Sequence, residues 1–354
     1  MVAVQSPSTT VRIRQSSTLV SLLDSVLALL IATFLAGIAL GIAGHNPFAA
    51  MWALIERALL RPAGVQEMIV SATPLLIAGV AVLIGVKAGL WNIGVDGQVL
   101  IGAISASTAA QLVEGWPRVM IWVVALAAGL LGGAAWGAVP ALLRARWGTN
   151  EIVTTIMFNY VAFSLTAWLV KGPLRDTSIV APQTPTIPRG DRFPFLFDTR
   201  VHVGIVLAII VWAGFAVWLR RSEAGFNLVA VGENPRASRQ ALIRVGVVTA
   251  GALMASGAVA GLAGANDMLS TKGTFQAEWN PGYGLTAFAL VFLARRSILA
   301  MLPAALFFGL LAYGANVMPR AANIPAAFFE FYEGIMLVVL ALFAWHPWRR
   351  EESS

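Results

Sequence analysis

Cysteine is absent from the 354 residues, and lysine and histidine are scarce, with three of each. Without cysteine there is no disulfide, no thiol nucleophile and no thiolate metal site, and redox chemistry leaves no mark of compartment. His45, His202 and His346 are far apart in the chain, so no metal-binding spacing emerges. Charge is thin as well: Asp, Glu, Lys and Arg make up 12% of the residues, against about 25% in a soluble domain. The chain has no G-x-x-x-x-G-K-S/T cradle for ATP phosphates, no G-x-S-x-G serine turn and no H-E-x-x-H zinc helix. Asp96 and Glu151 are distant carboxylates and make no acid–base pair. No catalytic residue, metal site or cofactor is therefore assigned to this chain.

What is present is apolar. Hydrophobic residues make up 58% of the sequence, and a membrane span needs about 20 of them in succession. This is the composition of an integral, all-α membrane protein. Ten stretches lack Asp, Glu, Lys and Arg: 25–55, 68–86, 97–113, 119–143, 152–170, 201–219, 245–266, 279–294, 297–319 and 334–348. The last begins earlier, near Phe328, and carries Glu330 and Glu333 at its start. About ten transmembrane helices are expected, with both termini cytoplasmic. That orientation places 14 Lys and Arg inside against 10 outside, in the sense of the positive-inside bias. The net charge of +7 is then loop charge facing membrane lipid, not a nucleic-acid surface. The N-terminus is polar and basic before the first apolar run, and no convincing A-x-A-like cleavage site follows that run, so the first span is read as retained. The expected organisation is a tail at 1–19, one membrane domain at 20–346 and a tail at 347–354.

The pattern is interrupted at a few places. Asn46 and Pro47 suit the start of a helix, and Phe48, Trp52, Ile55 and Leu59 recur at helical spacing. An amphipathic helix at the outer interface is expected there. Between Gly85 and Gly102 the polar residues Lys87, Asn92, Asp96 and Gln98 sit among Gly89, Gly94, Gly97 and Gly102. Glycine permits sharp turns and close packing, and polar groups within spans face a bundle interior or a watery cavity. Two readings fit: a broken segment lining a solute path, or a short turn in water. Asn159 in GTNEIVTTIMFNY likewise either bridges helices or faces solute, whereas Thr154 and Thr155 can bond back to their own helix. Residues 171–200 hold five prolines and form an external loop, a binding surface or a flexible link. Residues 220–244 form the longest inner connection. There Gly232 breaks the chain, Asn234 caps, and Pro235 opens a short basic helix to about Arg244 carrying Arg236 and Arg239. The seventh span, GALMASGAVAGLAGA, is built for close helix packing. Asp267, Lys272 and Glu278 follow it on the outside.

Taken jointly, AGLWNIGVDGQ at 88–98, NEIVTTIMFNY at 150–160 and AVGENPRASR at 230–239, with AGLAGA at 260–265 and PGYGLTAFAL at 281–290, resemble the permease subunits of bacterial ABC importers. The resemblance is to the nucleoside and simple-sugar type, related to ribose and branched-chain amino acid permeases, and covers roughly residues 68–345. Two departures bear on the solute. Trp91 and Asp96 stand where the nucleoside branch has Phe and Glu, and Gln240–Ile243 lacks that branch's glycine. The resemblance implies a path for a nucleoside or simple sugar lined by Asn92, Gly94, Asp96, Gly97, Gln98 and Asn159. It implies an ATPase-coupling element at Gly232, Glu233, Asn234, Pro235, Arg236 and Arg239. Its expected partners are a cytoplasmic ABC ATPase, which uses the ATP, an external substrate-binding protein and a second permease subunit. The expected location is the bacterial inner membrane. A ribose-like sugar or a branched-chain amino acid is the alternative cargo, and an ion-coupled transporter is the alternative class.

Overall fold

The computed structural model describes residues 18–344, with side chains from residue 24 to residue 343. Residues 1–17 and 345–354, which take in most of the expected tail at 1–19, all of that at 347–354, and Arg12, Arg14, His346, Arg349 and Arg350, lie outside the described residues. The chain folds into α1 (Thr18–Ile42), α2 (Pro47–Leu59), α3 (Pro62–Lys87), α4 (Val95–Leu112), α5 (Arg118–Trp147), α6 (Glu151–Lys171), α7 (Gly204–Arg221), α8 (Glu223–Glu233), α9 (Pro235–Gln240), α10 (Val245–Asp267), α11 (Tyr283–Leu293), α12 (Met301–Ala322) and α13 (Ala327–Ala344). Among the described residues there is no strand, only two isolated antiparallel bridges.

Among the described residues, seven helices are long and apolar enough to cross a membrane: α1, α3, α5, α6, α7, α12, and α10 with the π-helical turn Met268–Lys272 that continues it. The other expected spans fall on α4, α11 and α13. At 11 residues, α11 is about 16 Å long, half of a bilayer core. The first charge-free stretch, 25–55, is divided between two helices, because Gly44 takes φ +85° and Asn46 restarts the chain. Asn46 Oδ1 accepts from the N–H groups of Phe48 and Ala49, and Pro47 occupies the first turn. α2 buries Ala50, Leu54 and Ala58 and turns Phe48, Trp52 and Leu59 outward, as an interfacial helix would.

α3 is the centre of the bundle, with every residue from Ala72 to Gly85 buried. α10 crosses α5 and α4 at backbone contact: Gly257 and Gly261 lie against Gly133 and Gly129. With little hydrophobic drive between helices in lipid, such close packing is what associates them. The long loop between α6 and α7 is ordered. Its backbone N–H groups at Thr184, Ile187 and Phe193 donate to the carbonyls of Phe275, Gly273 and Leu269 at 3.0, 2.8 and 2.8 Å. Trp122 Nε1 adds a bond to Asp191 O at 2.8 Å. At the loop's exposed tip, the Ser178 N–H and hydroxyl both donate to Asp176 and hold its carboxyl below the usual range.

Candidate functional site

The chain breaks where the glycines foretold. α3 ends on Gly89, whose φ is +71°, and Leu90 N–H returns to Gly85 O at 2.9 Å. Such a left-handed helix stop favours glycine. An irregular stretch then runs to Gly94, which precedes α4. Inside that break Asn92 is 1% exposed. Its Nδ2 donates to Gln98 Oε1 at 2.9 Å and to Ser256 Oγ at 2.8 Å. Its Oδ1 accepts from Gly94 N–H at 3.1 Å and from Gln98 Nε2 at 3.3 Å. Ser256 in turn donates to Ala81 O at 2.6 Å. The network therefore ties α3, the break, α4 and α10 together, and it uses every hydrogen-bonding position of Asn92.

Asn159 of α6 grips the same break from another side. Its Nδ2 donates to Ile93 O at 2.8 Å, and its Oδ1 accepts from Gly97 N–H at 2.8 Å. Of the two readings open for it, bridging is the geometry observed. Thr154 and Thr155 bond back to their own helix, Thr155 Oγ1 to Glu151 O at 2.6 Å. Glu151, at the start of α6, pairs with Arg144 at the end of α5.

Asp96 points toward α11, where its Oδ1 accepts from Gly284 N–H at 2.6 Å. Two carboxylates from other helices meet the same first turn. Asp267 of α10 accepts from Tyr283 OH at 2.8 Å and also contacts the Thr271 hydroxyl. Glu333 of α13 accepts from Thr286 Oγ1 at 2.7 Å. Lower on α11, Phe288 and Phe292 stack against Trp91 of the break, with ring centroids 6.2 and 5.6 Å away. All six expected path residues thus fall on one break and its neighbours. Sequence reasoning missed Ser256, read as packing, and put Asp267 in solvent and Glu333 at a span's start. The signal available was their polarity beside apolar sequence, but no local pattern linked them to α11.

The second expected element lies at the opposite end of α8. Ser222 Oγ caps α8 by accepting from Gly225 N–H at 2.9 Å. Asn234 ends α8 and starts α9, its Oδ1 accepting from the N–H groups of Arg236 and Ala237 at 3.1 and 3.0 Å. Glu233, Asn234, Pro235, Arg236 and Arg239 are exposed. Two details differ from expectation. Gly232 does not terminate a segment but sits in the last turn of α8, where its backbone abuts the end of α3. The short helix stops at Gln240 instead of Arg244, because Leu242 takes φ +62°.

Residues 64–341 match the family described as branched-chain amino acid transport system, permease component. The glucose ABC transporter permease protein TsgB13 of Haloferax volcanii is 32% identical over 328 residues, covering 89% of this chain and 86% of that protein. The guanosine ABC transporter permease protein NupP of Bacillus subtilis is 32% identical over 293 residues, covering 78% and 80%. The nucleoside ABC transporter permease protein NupB of Lactococcus lactis is 27% identical over 312 residues, covering 84% and 86%. With the family match running from α3 into α13 and across the polar break between α3 and α4, this chain belongs to that family of multi-pass ABC transporter permeases.

Proposed function

We propose that this chain forms the translocation path of an ABC importer for a nucleoside or simple sugar, handed over by an external binding protein. The observation that carries the reading is the polar break at 89–98, enclosed by α4, α6, α10 and the half-length α11 in an otherwise apolar bundle. Asn92 and Gln98, saturated by each other and by Ser256, hold the wall of the path. Asp96, the glycine backbone at Gly94 and Gly97, and Asn159 complete it, and Asp96 is the side chain assigned to meet solute hydroxyls. A carboxylate with one oxygen engaged by Gly284 N–H keeps a second acceptor for a polyol or ribose.

In this reading α4, α11 and α13 join the seven long helices to give ten spans, within a membrane domain of residues 20–346 flanked by short cytoplasmic tails. The protein lies in the bacterial inner membrane. The α6–α7 loop faces outward to the binding protein, and Gly232 to Arg239 face a cytoplasmic ATPase. The chain itself carries no cofactor; ATP is hydrolysed on the partner. A second permease subunit, identical or related, completes the path. The rigid capped pair α8–α9 supports the coupling role, since a stiff element transmits motion that a loose one absorbs. ATP-driven closure then selects between two packings of the spans.

The test is reconstitution with a cognate ATPase, binding protein and second permease subunit, followed by uptake of labelled guanosine, ribose, glucose and leucine. ATP-dependent uptake of a nucleoside or sugar is expected. Uptake of leucine alone would move the cargo to the branched-chain amino acids, and uptake driven by an ion gradient without ATP would overturn the reading.

A further inference from the structure

We propose that residues 88–93 are a transmission joint, through which motion of the α8–α9 element is delivered to the helices around the path. The proposal rests on the reading of α8–α9 as the ATPase-facing element and adds how its motion reaches the membrane.

One side of the joint is a contact between two backbones. A Cβ on Gly232 would collide with the Lys87 carbonyl oxygen and would lie 2.9 Å from both Ala88 C and Gly89 N. A Cβ on Gly89 would lie 3.0 Å from Gly232 O and 3.1 Å from Gly232 Cα. No side chain stands between the end of α8 and the end of α3, so nothing there can yield by changing rotamer. Close-packed atoms transmit displacement, and bare backbone is the stiffest form of such a contact.

The other side fans out. Leu90 is 2% exposed and held to α3 by its N–H. Each of the next three residues is fastened to different helices. Trp91 stacks on Phe288 and Phe292 of α11. Asn92 bonds Gln98 of α4 and Ser256 of α10. Ile93 O accepts from Asn159 of α6. A shift of Gly232 against Gly89 therefore meets four helices within four residues of chain. Packed interfaces of this kind switch between discrete arrangements instead of deforming smoothly.

Contiguity alone is not coupling, so the test measures response at both ends. The cysteine-free chain takes a single thiol at either end, by Arg239→Cys on α9 or Leu285→Cys on α11, both exposed positions. Each is labelled with a fluorophore before assembly with the ATPase and binding protein in lipid nanodiscs, and a non-hydrolysable ATP analogue is added. Both labels are expected to respond in the otherwise native chain. Gly232→Ala should abolish the Leu285 response and leave the Arg239 response. Trp91→Ala, a truncation at a residue 43% exposed, is the variant to use if the glycine change prevents assembly. It should likewise remove the Leu285 response, and Trp91→Phe should restore it. A Leu285 response that survives Gly232→Ala or Trp91→Ala undiminished overturns the joint while leaving α8–α9 as the ATPase contact. An Arg239 label that never responds in the native chain overturns the coupling reading and the joint together.

Discussion

Replacing Asn92 by alanine separates a wall residue from a solute ligand. The side chain makes four hydrogen bonds, two as donor and two as acceptor, all within the protein. Ser256 keeps its bond to Ala81 O after the change, so its loss is small. Bonds between membrane helices average only about 0.6 kcal/mol. Gly94 N–H and the Gln98 carboxamide fare worse. Gln98 is 1% exposed and its side chain bonds only Asn92 among the described residues. Leaving a buried polar group unpaired costs about 1–3 kcal/mol, so the two together put Asn92→Ala at about 2–6 kcal/mol, with the local groups deciding the total. Thermal unfolding of the purified complex should show a midpoint lowered by roughly 3–8 °C. Uptake per folded complex should fall by less than the yield of folded complex does. A variant that melts like the native protein yet has lost uptake would refute the network argument and return Asn92 to the list of groups that touch solute.

Asp96→Asn keeps an acceptor for Gly284 N–H and should retain part of the uptake, while Asp96→Ala should lose nearly all of it; equal uptake by both would remove Asp96 from the path. Asn159→Ala frees Ile93 O and Gly97 N–H and should destabilise the complex by about 1–3 kcal/mol, read as a lowered unfolding midpoint. Deleting the exposed tip at 177–181 should reduce stimulation of ATP hydrolysis by loaded binding protein and leave the basal rate unchanged; undiminished stimulation would assign the loop another role. Gly232→Val drives a branched side chain into the Lys87–Gly89 backbone and should uncouple transport from ATP hydrolysis far more than Arg239→Ala, since an exposed charge is individually worth no more than about 1 kcal/mol.

Local chemistry was enough to find several features. The break at 89–94 showed in the sequence because glycine and polar residues are costly in a span. The turn at Asn234–Pro235 showed because a capping side chain and a fixed φ both act within a few residues. Among the described residues each charge-free stretch lies mostly on helix, though the first runs across both α1 and α2. What escaped depended on distant neighbours. Gly232 read as a break in the chain, yet it sits within α8 and its constraint is the backbone of α3 pressed against it. Ser256 looked like one more small residue in a packing helix until the break was seen to cross it. Asp267 looked solvated because it follows an apolar run and precedes Lys272, but Tyr283 and Thr271 provide its partners within the bundle. No single-sequence pattern gathers Asp96, Asp267 and Glu333 around one turn.

That turn gives α11 the mechanics of a rod hung from one end. Three carboxylates on three different helices fasten residues 283, 284 and 286, and anchors set this close together, within one turn, resist a lean of the whole rod only weakly. Trp91 bears on the rod below the pivot, at Phe288 and Phe292. Over a length of about 16 Å, each ten degrees of tilt sweeps the far end through roughly 3 Å. Helix shifts in switching proteins are about 1–2 Å, so a lean of roughly five degrees carries the Leu293 end through a displacement of that size with no anchor broken.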